Sequence, residues 1–175
     1  GAETFSRILD FTDRANCVLF GDGAGALVLE DEEGNGTAED RGVLGVDLNS
    51  DGRYKDLLYV DGGMVSQQTG FIVMQGNALF RQAVEKLAST ADAALGKAGL
   101  GHDDVDWIVP HHATIRIIQC TSMKLGVSMS KVVLTAQDRG NTAAASLPLA
   151  RSGGVERGQV KPGDLIVTQE IGGGL

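Results

Sequence analysis

The chain has 175 residues, 42% of them hydrophobic and 22% charged, which is enough apolar material for one domain or two small joined halves. Its net charge of −8 argues against a nucleic-acid binder, and no apolar run approaches a membrane span. The two cysteines, Cys17 in an apolar run and Cys120 in a helical stretch, read as buried core residues rather than as a disulfide or a metal site. No signal-peptide pattern is present, so a reducing, cytoplasmic setting is expected. Twenty-five glycines exceed ordinary usage and predict many tight turns or close backbone approaches.

In chain order, Cys17 to Phe20 is a continuous apolar run that predicts a buried strand. Gly21 to Ala26 turns the chain, and Ala26 to Leu29 predicts a second strand. Gly21, Gly23 and Ala26 fit the glycine spacing of a dinucleotide fingerprint. That motif needs a helix after the turn, whereas aliphatic residues and the acidic run Glu30 to Glu33 come next here. A glycine-rich hairpin is the better reading. Residues 30 to 41 form an acidic surface loop, and Gly42 to Asn49 alternates like a strand. Ser50 to Thr69 is rich in turn residues, and Gly70 to Met74 is a short strand.

From Asn77 to Ala98 the apolar residues Phe80, Ala83, Val84, Leu87, Ala91, Leu95 and Ala98 share one helical face, and Gly99 closes the helix. His102 to Asp104 reads as a short linker helix or turn, with His102 exposed and structural. Trp107 to Val109 predicts a buried strand, which Pro110 ends because its ring has no N–H to give. A helix runs from about Ala113 to Leu125, with Gly126 as its stop. His111 and His112 therefore sit at the carboxyl end of a strand and just before a helix. That is where ligands bind in open α/β folds, and the helix N-terminus favours the uncharged imidazole.

Lys131 to Thr135 is a further strand, and Asn141 or Thr142 caps a helix that starts in Ala143 to Ser146, with Pro148 in its first turns. Gly158 to Gly163 turns into a strand over Asp164 to Gln169, and the loop Gly172 to Gly174 comes after it. His111 and Asn141 thus lie past the ends of two strands that precede helices. If those strands are parallel neighbours, the two side chains face one crevice. A neutral imidazole and an amide can each donate a hydrogen bond to one carbonyl oxygen, stabilising an enolate as it forms, and the glycine loop can add a backbone N–H. The plainer readings are an N-cap for Asn141 and an ordinary turn for the glycines.

Phe20 to Ala26 (Phe-Gly-Asp-Gly-Ala-Gly-Ala), Val109 to Ala113 (Val-Pro-His-His-Ala) with Arg116, Gly140 to Ser146 (Gly-Asn-Thr-Ala-Ala-Ala-Ser) and the terminal glycines resemble, in order and spacing, the β-ketoacyl-acyl-carrier-protein synthase III family. The resemblance implies an α/β, thiolase-like fold in which two related halves stack as layers of α/β/α/β/α. Residues 1–35 would end the N-terminal half, and residues 36–175 would form the C-terminal half without its final segment. In the family a cysteine takes an acyl group from acyl-CoA. A histidine and an asparagine then help to decarboxylate malonyl-acyl-carrier protein, and the carbanion attacks the acyl thioester. His111 and Asn141 match those helpers, and Gly173 matches the oxyanion-hole glycine.

By the same register Phe20 resembles a wall of the acyl pocket and Arg14 a residue near the CoA adenine. Gly76, Asn77 and Phe80 resemble the lining of the pantetheine tunnel. Arg116 matches a basic residue at the tunnel mouth, where Arg81 and Lys124 would join it as a docking patch for acidic acyl carrier protein, the plainer reading of these two being solvated surface charge. The resemblance implies no cofactor beyond the substrates acyl-CoA and malonyl-acyl-carrier protein, a homodimer when complete, and no membrane or nucleic-acid partner. The family usually has Gln at His112, Asn at Thr114 and Phe at Ile171. With His111 facing the crevice, His112 is expected to point away.

Two other readings stand beside this one: a related condensing enzyme with another acyl chain or acceptor, and a non-catalytic half that binds CoA or carrier protein. The family's nucleophilic cysteine lies upstream of Gly1 in this register. Neither Cys17 nor Cys120 is placed at a helix N-terminus, where a thiolate is favoured. Incubation of the 175-residue chain with acyl-CoA is therefore expected to leave both cysteines unmodified by mass spectrometry. An acylated Cys17 or Cys120 that turns over would contradict this.

Overall fold

The computed structural model describes residues 1–173. Its organising element is a parallel ladder at the centre of the chain. Strand β5, Trp107–Val109, pairs in parallel with β6, Ile166–Thr168, in the register Trp107 to Ile166 and Val109 to Thr168. On the other side of β5 the extended backbone at Val132 bridges Ile108, again in parallel, and Val133 N–H donates to the Ile108 carbonyl at 2.9 Å. Parallel neighbours need crossover connections, and helices supply them.

Alternation along β5 separates two cores. Ile108 faces a cluster with Ala88, Ala91, Leu95, Ile118, Leu125, Val132 and Val167, while Val109 faces the opposite side with Val133, Ala150 and Val160. The first face is covered by α1, Gly76–Ala98, and α2, Ile115–Lys124; the second by α4, Ser146–Glu156. A short turn of helix, α3, spans Ala136–Arg139. The result is a helix–sheet–helix sandwich.

Helix α1 buries Ala83, Leu87, Ala88, Ala91 and Leu95 on one stripe. It ends as expected at Gly99, whose φ of 70° lets Leu100 N–H reach back to the Leu95 carbonyl at 3.0 Å. The small residues on this helix admit close backbone: a Cβ on Gly45 would stand 2.4 Å from the Ala94 carbonyl oxygen. Helix α2 begins at Thr114, whose hydroxyl accepts from Ile117 N–H at 3.3 Å, and Gly126 (φ +68°) lies just past its end. His102 is exposed and pairs with Asp92 at 2.6 Å.

Several predicted strands do not form as drawn. Residues 17–20 lie in turns with Val18 66% exposed; only Phe20 makes a bridge, to Asn141. Residues 26–29 join no ladder, and Val28 is 89% exposed. The turn before them is no hairpin: β2, Gly23–Ala24, pairs antiparallel with β1, Ala2–Glu3. Residues 42–49 run along α1 without a ladder, tied there by Lys97 to the Val46 carbonyl (3.0 Å) and Asp47 (2.7 Å). Residues 131–135 begin as the end of a 3-10 turn and contribute one bridge only. Residues 131–135 have β5 beside them but pair with it only around Val132 and Val133; for the other three the physical reason is shared. An apolar run reports that a segment seeks burial, but a strand also needs a neighbour offering hydrogen bonds, which the described residues do not supply at these places. Conversely the turn-rich stretch hides β3, Leu58–Val60, which pairs antiparallel with β4, Ile72–Met74. Cys17 and Cys120 are free and half-buried rather than core residues. Among the described residues no helix is long and apolar enough to cross a membrane.

Candidate active site

The site is assembled from the segments just beyond the strand ends. Pro110 ends β5, and His111 emerges at its carboxyl end with only 4% of its surface exposed. Asn141 is 9% exposed and is fixed by its own backbone: its N–H donates to the Leu19 carbonyl and its carbonyl accepts from Gly21 N–H, both at 2.9 Å. Those two bonds draw Phe20 alongside. His111, Asn141 and Phe20 line one largely apolar cleft of about 140 Å³, partly open to solvent. Its other walls include Leu58 and Met74 from the β3–β4 hairpin, Gly76, Phe80 and Ala83 from α1, Ile117 from α2, and Gly172. A mostly apolar cleft with a few convergent polar groups is the ordinary form of a small-molecule site.

The amide of Asn141 is oriented, not merely present. Its Oδ1 accepts from Ala143 N–H at 2.9 Å. The acceptor is thereby committed to the turn, and the remaining Nδ2 donors are left for the cleft. Asn141 thus closes a side-chain turn rather than capping a helix: the 3-10 turn that follows is entered at Thr142, and neither it nor α4 has a side-chain cap. The turn is strained: Ala143 has φ +41°, a left-handed conformation that costs a β-carbon residue about 1–3 kcal/mol. Thr142 and Ser146 brace it, with Oγ atoms 3.1 Å apart in full burial.

His112 points away from the cleft, into the sheet. Its Nε2 accepts from Thr135 N–H at 3.3 Å and its Nδ1 lies 3.3 Å from Thr135 Oγ1, a pattern that suits a neutral ring with the proton on Nδ1. Burial lowers its pKa to about 4; the Val133 carbonyl beside Nε2 partly opposes this, and the neighbouring His111 adds to it. Gln, usual in the resembling family, offers the same donor and acceptor. Thr114 likewise keeps the helix cap that Asn would make, and both Thr114 and Ile171 line the cleft.

The remaining site residues divide. Gly76 and Phe80 reach the cleft; Asn77 and Arg14 are exposed and stand outside its lining. Gly173 lies in a bend where a Cβ would come within 2.7 Å of the Leu58 carbonyl oxygen, so that approach requires glycine, while Gly172 is the loop residue in the lining. Gly174 lies outside the described residues. Arg81 and Arg116 are exposed, and Lys124 is ion-paired with Glu85 across α1 and α2. Sequence reasoning missed the wall built by Leu58, Met74, Ala83 and Ile117. It also missed Glu170, whose Oε1 stands 2.6 Å from His111 Nδ1. The signal for Glu170 was its place two residues beyond a strand parallel to that of His111.

A helix–sheet–helix half with a His and an Asn converging past parallel strand ends is the architecture of thiolase-like condensing enzymes. Among solved structures the chain is similar to the 3-oxoacyl-(acyl carrier protein) synthase III of Pseudomonas aeruginosa, with 37% identity and a TM-score of 0.92 over 100% of this chain and 53% of that one. The corresponding synthase from Aquifex aeolicus gives 38% and 0.90, again over 100% and 53%. The priming β-ketosynthase of the R1128 polyketide pathway gives 29% and 0.79, over 99% and 52%. The family model "3-Oxoacyl-[acyl-carrier-protein (ACP)] synthase III" matches residues 1–52, and its "C terminal" companion matches residues 95–175. Curated relatives named β-ketoacyl-[acyl-carrier-protein] synthase III are 71% identical in Ruegeria pomeroyi and 66% in Roseobacter denitrificans, each over 175 residues. The chain belongs to the 3-oxoacyl-acyl-carrier-protein synthase III family. It spans about half the length (54%) of those curated relatives.

The state of His112 sets a pH dependence. Between about pH 6.5 and 4 the unfolded chain binds a proton on this ring that the folded chain refuses. Its contribution to stability is full above that window and is lost as pH falls through it, by roughly 3 kcal/mol. Urea unfolding at pH 7 and pH 4.5 should show H112Q losing less stability on acidification than the parent chain. Equal losses would contradict the assignment.

Proposed function

We propose that this sequence forms the carboxyl-side half of a decarboxylating Claisen-condensing enzyme that joins an acyl-CoA-derived acyl group to malonyl-acyl-carrier protein at the start of fatty acid synthesis. In this reading residues 1–35 close the upstream half, and residues 36–175 supply the decarboxylating groups. The observation that carries the proposal is the convergence of buried His111 and Asn141 on one apolar cleft, with the Asn141 amide turned donor-outward by Ala143.

The chemistry follows from that geometry. When the malonyl C–C bond breaks, CO₂ leaves and its bonding pair moves to the thioester as an enolate. Donors aimed at the carbonyl oxygen stabilise that charge most where water is scarce. The enolate carbon then attacks the acyl thioester of the upstream cysteine, forming the new C–C bond and expelling the thiolate. An apolar cleft favours CO₂ loss by giving the departing neutral molecule a better solvent than it gives a carboxylate.

Phe20 and Phe80 are assigned to the walls that hold the acyl and pantetheine portions, and Gly76 permits their approach. Asn77 and Arg14, both exposed, are assigned to CoA, and Gly173 to the oxyanion hole. Arg81 and Arg116 are assigned to carrier-protein docking; Lys124, engaged by Glu85, would join only by releasing it. The substrates themselves suffice, with no metal or further cofactor, and the complete enzyme is read as a cytoplasmic homodimer. A second reading, another acyl chain or acceptor, is favoured by one observation: Thr114 and Ile171, two departures from the family's usual residues, both line the cleft.

The test uses the synthase in which this sequence is joined to its upstream half. H111A and N141A should each lower malonyl-thioester decarboxylation by about 10²–10³-fold. They should leave transfer of the acyl group to the cysteine largely intact. Loss of acyl transfer with decarboxylation unchanged would overturn the assignment.

A further inference from the structure

Resting on the reading of His111 as an enolate-stabilising group, we propose that Glu170 is a positioning residue for it. Glu170 holds the proton on Nδ1 and balances the ring's charge when Nε2–H donates to the enolate oxygen.

The placement is set by the sheet. In the β5–β6 register each residue of one strand faces the residue 59 positions on, from Trp107 with Ile166 to Val109 with Thr168. The ladder continues past β6, since Gln169 N–H donates to the Val109 carbonyl at 3.2 Å. Two residues further along both strands, His111 falls opposite Glu170 on one face. The observed contact, Nδ1 to Oε1 at 2.6 Å, is the product of that register.

His111 Nδ1 is sealed from solvent, and among the described residues no hydrogen bond of acceptable angle reaches it. The carboxylate stands close but off the N–H direction. Glu170 keeps 36% of its side chain exposed, so it is free to swing into line, whereas the ring is 5% exposed and fixed. A small rotation of the carboxylate brings Oε1 into line to accept a proton from Nδ1, so the pairing favours the tautomer protonated there. Because Nδ1 is sealed while the ring lines the cleft, the edge bearing Nε2 is the one a bound molecule meets.

A neutral ring with its proton on Nδ1 offers only a lone pair at Nε2. It becomes a donor to an enolate oxygen when Nε2 takes up a proton from solvent through the open side of the cleft; the working form is then the ring protonated on both nitrogens, whose charge the adjacent carboxylate offsets.

Two measurements test the proposal together. In ¹⁵N-histidine spectra of the 175-residue chain, assigned through H102Q and H112Q, His111 Nδ1 should show as protonated. In E170A that proton signal should move toward Nε2. In the joined synthase, E170A and the near-isosteric E170Q should lower kcat for malonyl-thioester decarboxylation about ten- to a hundredfold, with KM little changed, the scale on which a carboxylate orienting a working histidine matters. E170D should restore part of the rate. An unchanged His111 spectrum, or an unchanged kcat in E170A and E170Q when H111A is inactive, overturns the role of Glu170 alone. An active H111A overturns the reading on which it rests.

Discussion

The parallel pairing of Trp107–Val109 with Ile166–Thr168 is the constraint on which the site depends. It brings the carboxyl ends of two strands level, so that the segments leaving them meet at one place. His111 leaves one strand end, and Glu170 with the glycine bend leaves the other. The bridge between Ile108 and Val132 extends the same sheet, and the chain beyond Val132 delivers Asn141. A slip of one residue would turn His111 toward the core and His112 toward the cleft, since successive side chains alternate faces. The two adjacent histidines accordingly have opposite fates: one lines the cleft, and the other is kept neutral by its burial beside Thr135.

The second constraint is local. Asn141 is buried, and a buried amide without partners costs on the order of 1–3 kcal/mol. Its backbone is stitched to Leu19 and Gly21, and its Oδ1 to Ala143, so that only the Nδ2 donors remain uncommitted. The strained φ of Ala143 is compensated by this set of bonds. Local strain beside an uncommitted donor suits a group that must be in place before charge develops.

The sequence made the elements that carry their own partners legible. Helices α1 and α2, with the glycines at 99 and 126, follow from one-sided apolar spacing and local capping, which short-range bonds satisfy. Trp107–Val109 was legible because Pro110 marks its end. Residues 26–29 and 42–49 were not, since their apolar character implies a neighbour whose identity no local pattern encodes. The same limit applies within the site. His111 and Asn141 were visible from strand-end and helix-start signals. Glu170 required the register between strands 59 residues apart, and the walls at Leu58 and Met74 required the hairpin hidden in a turn-rich stretch. Thr114 and His112, departures from the family's usual residues, prove chemically modest, because each makes hydrogen bonds that the usual residue also can.

The central claim is that His111 and Asn141 act on one oxygen. A double-mutant cycle of H111A and N141A, read as malonyl-thioester decarboxylation in the joined synthase, tests it most directly. Groups that stabilise the same charge are coupled, so the double variant should lose less than the sum of the two single losses, with a coupling of about 0.5–3 kcal/mol. Losses that simply add would mean the two side chains act at separate places, and would contradict the account.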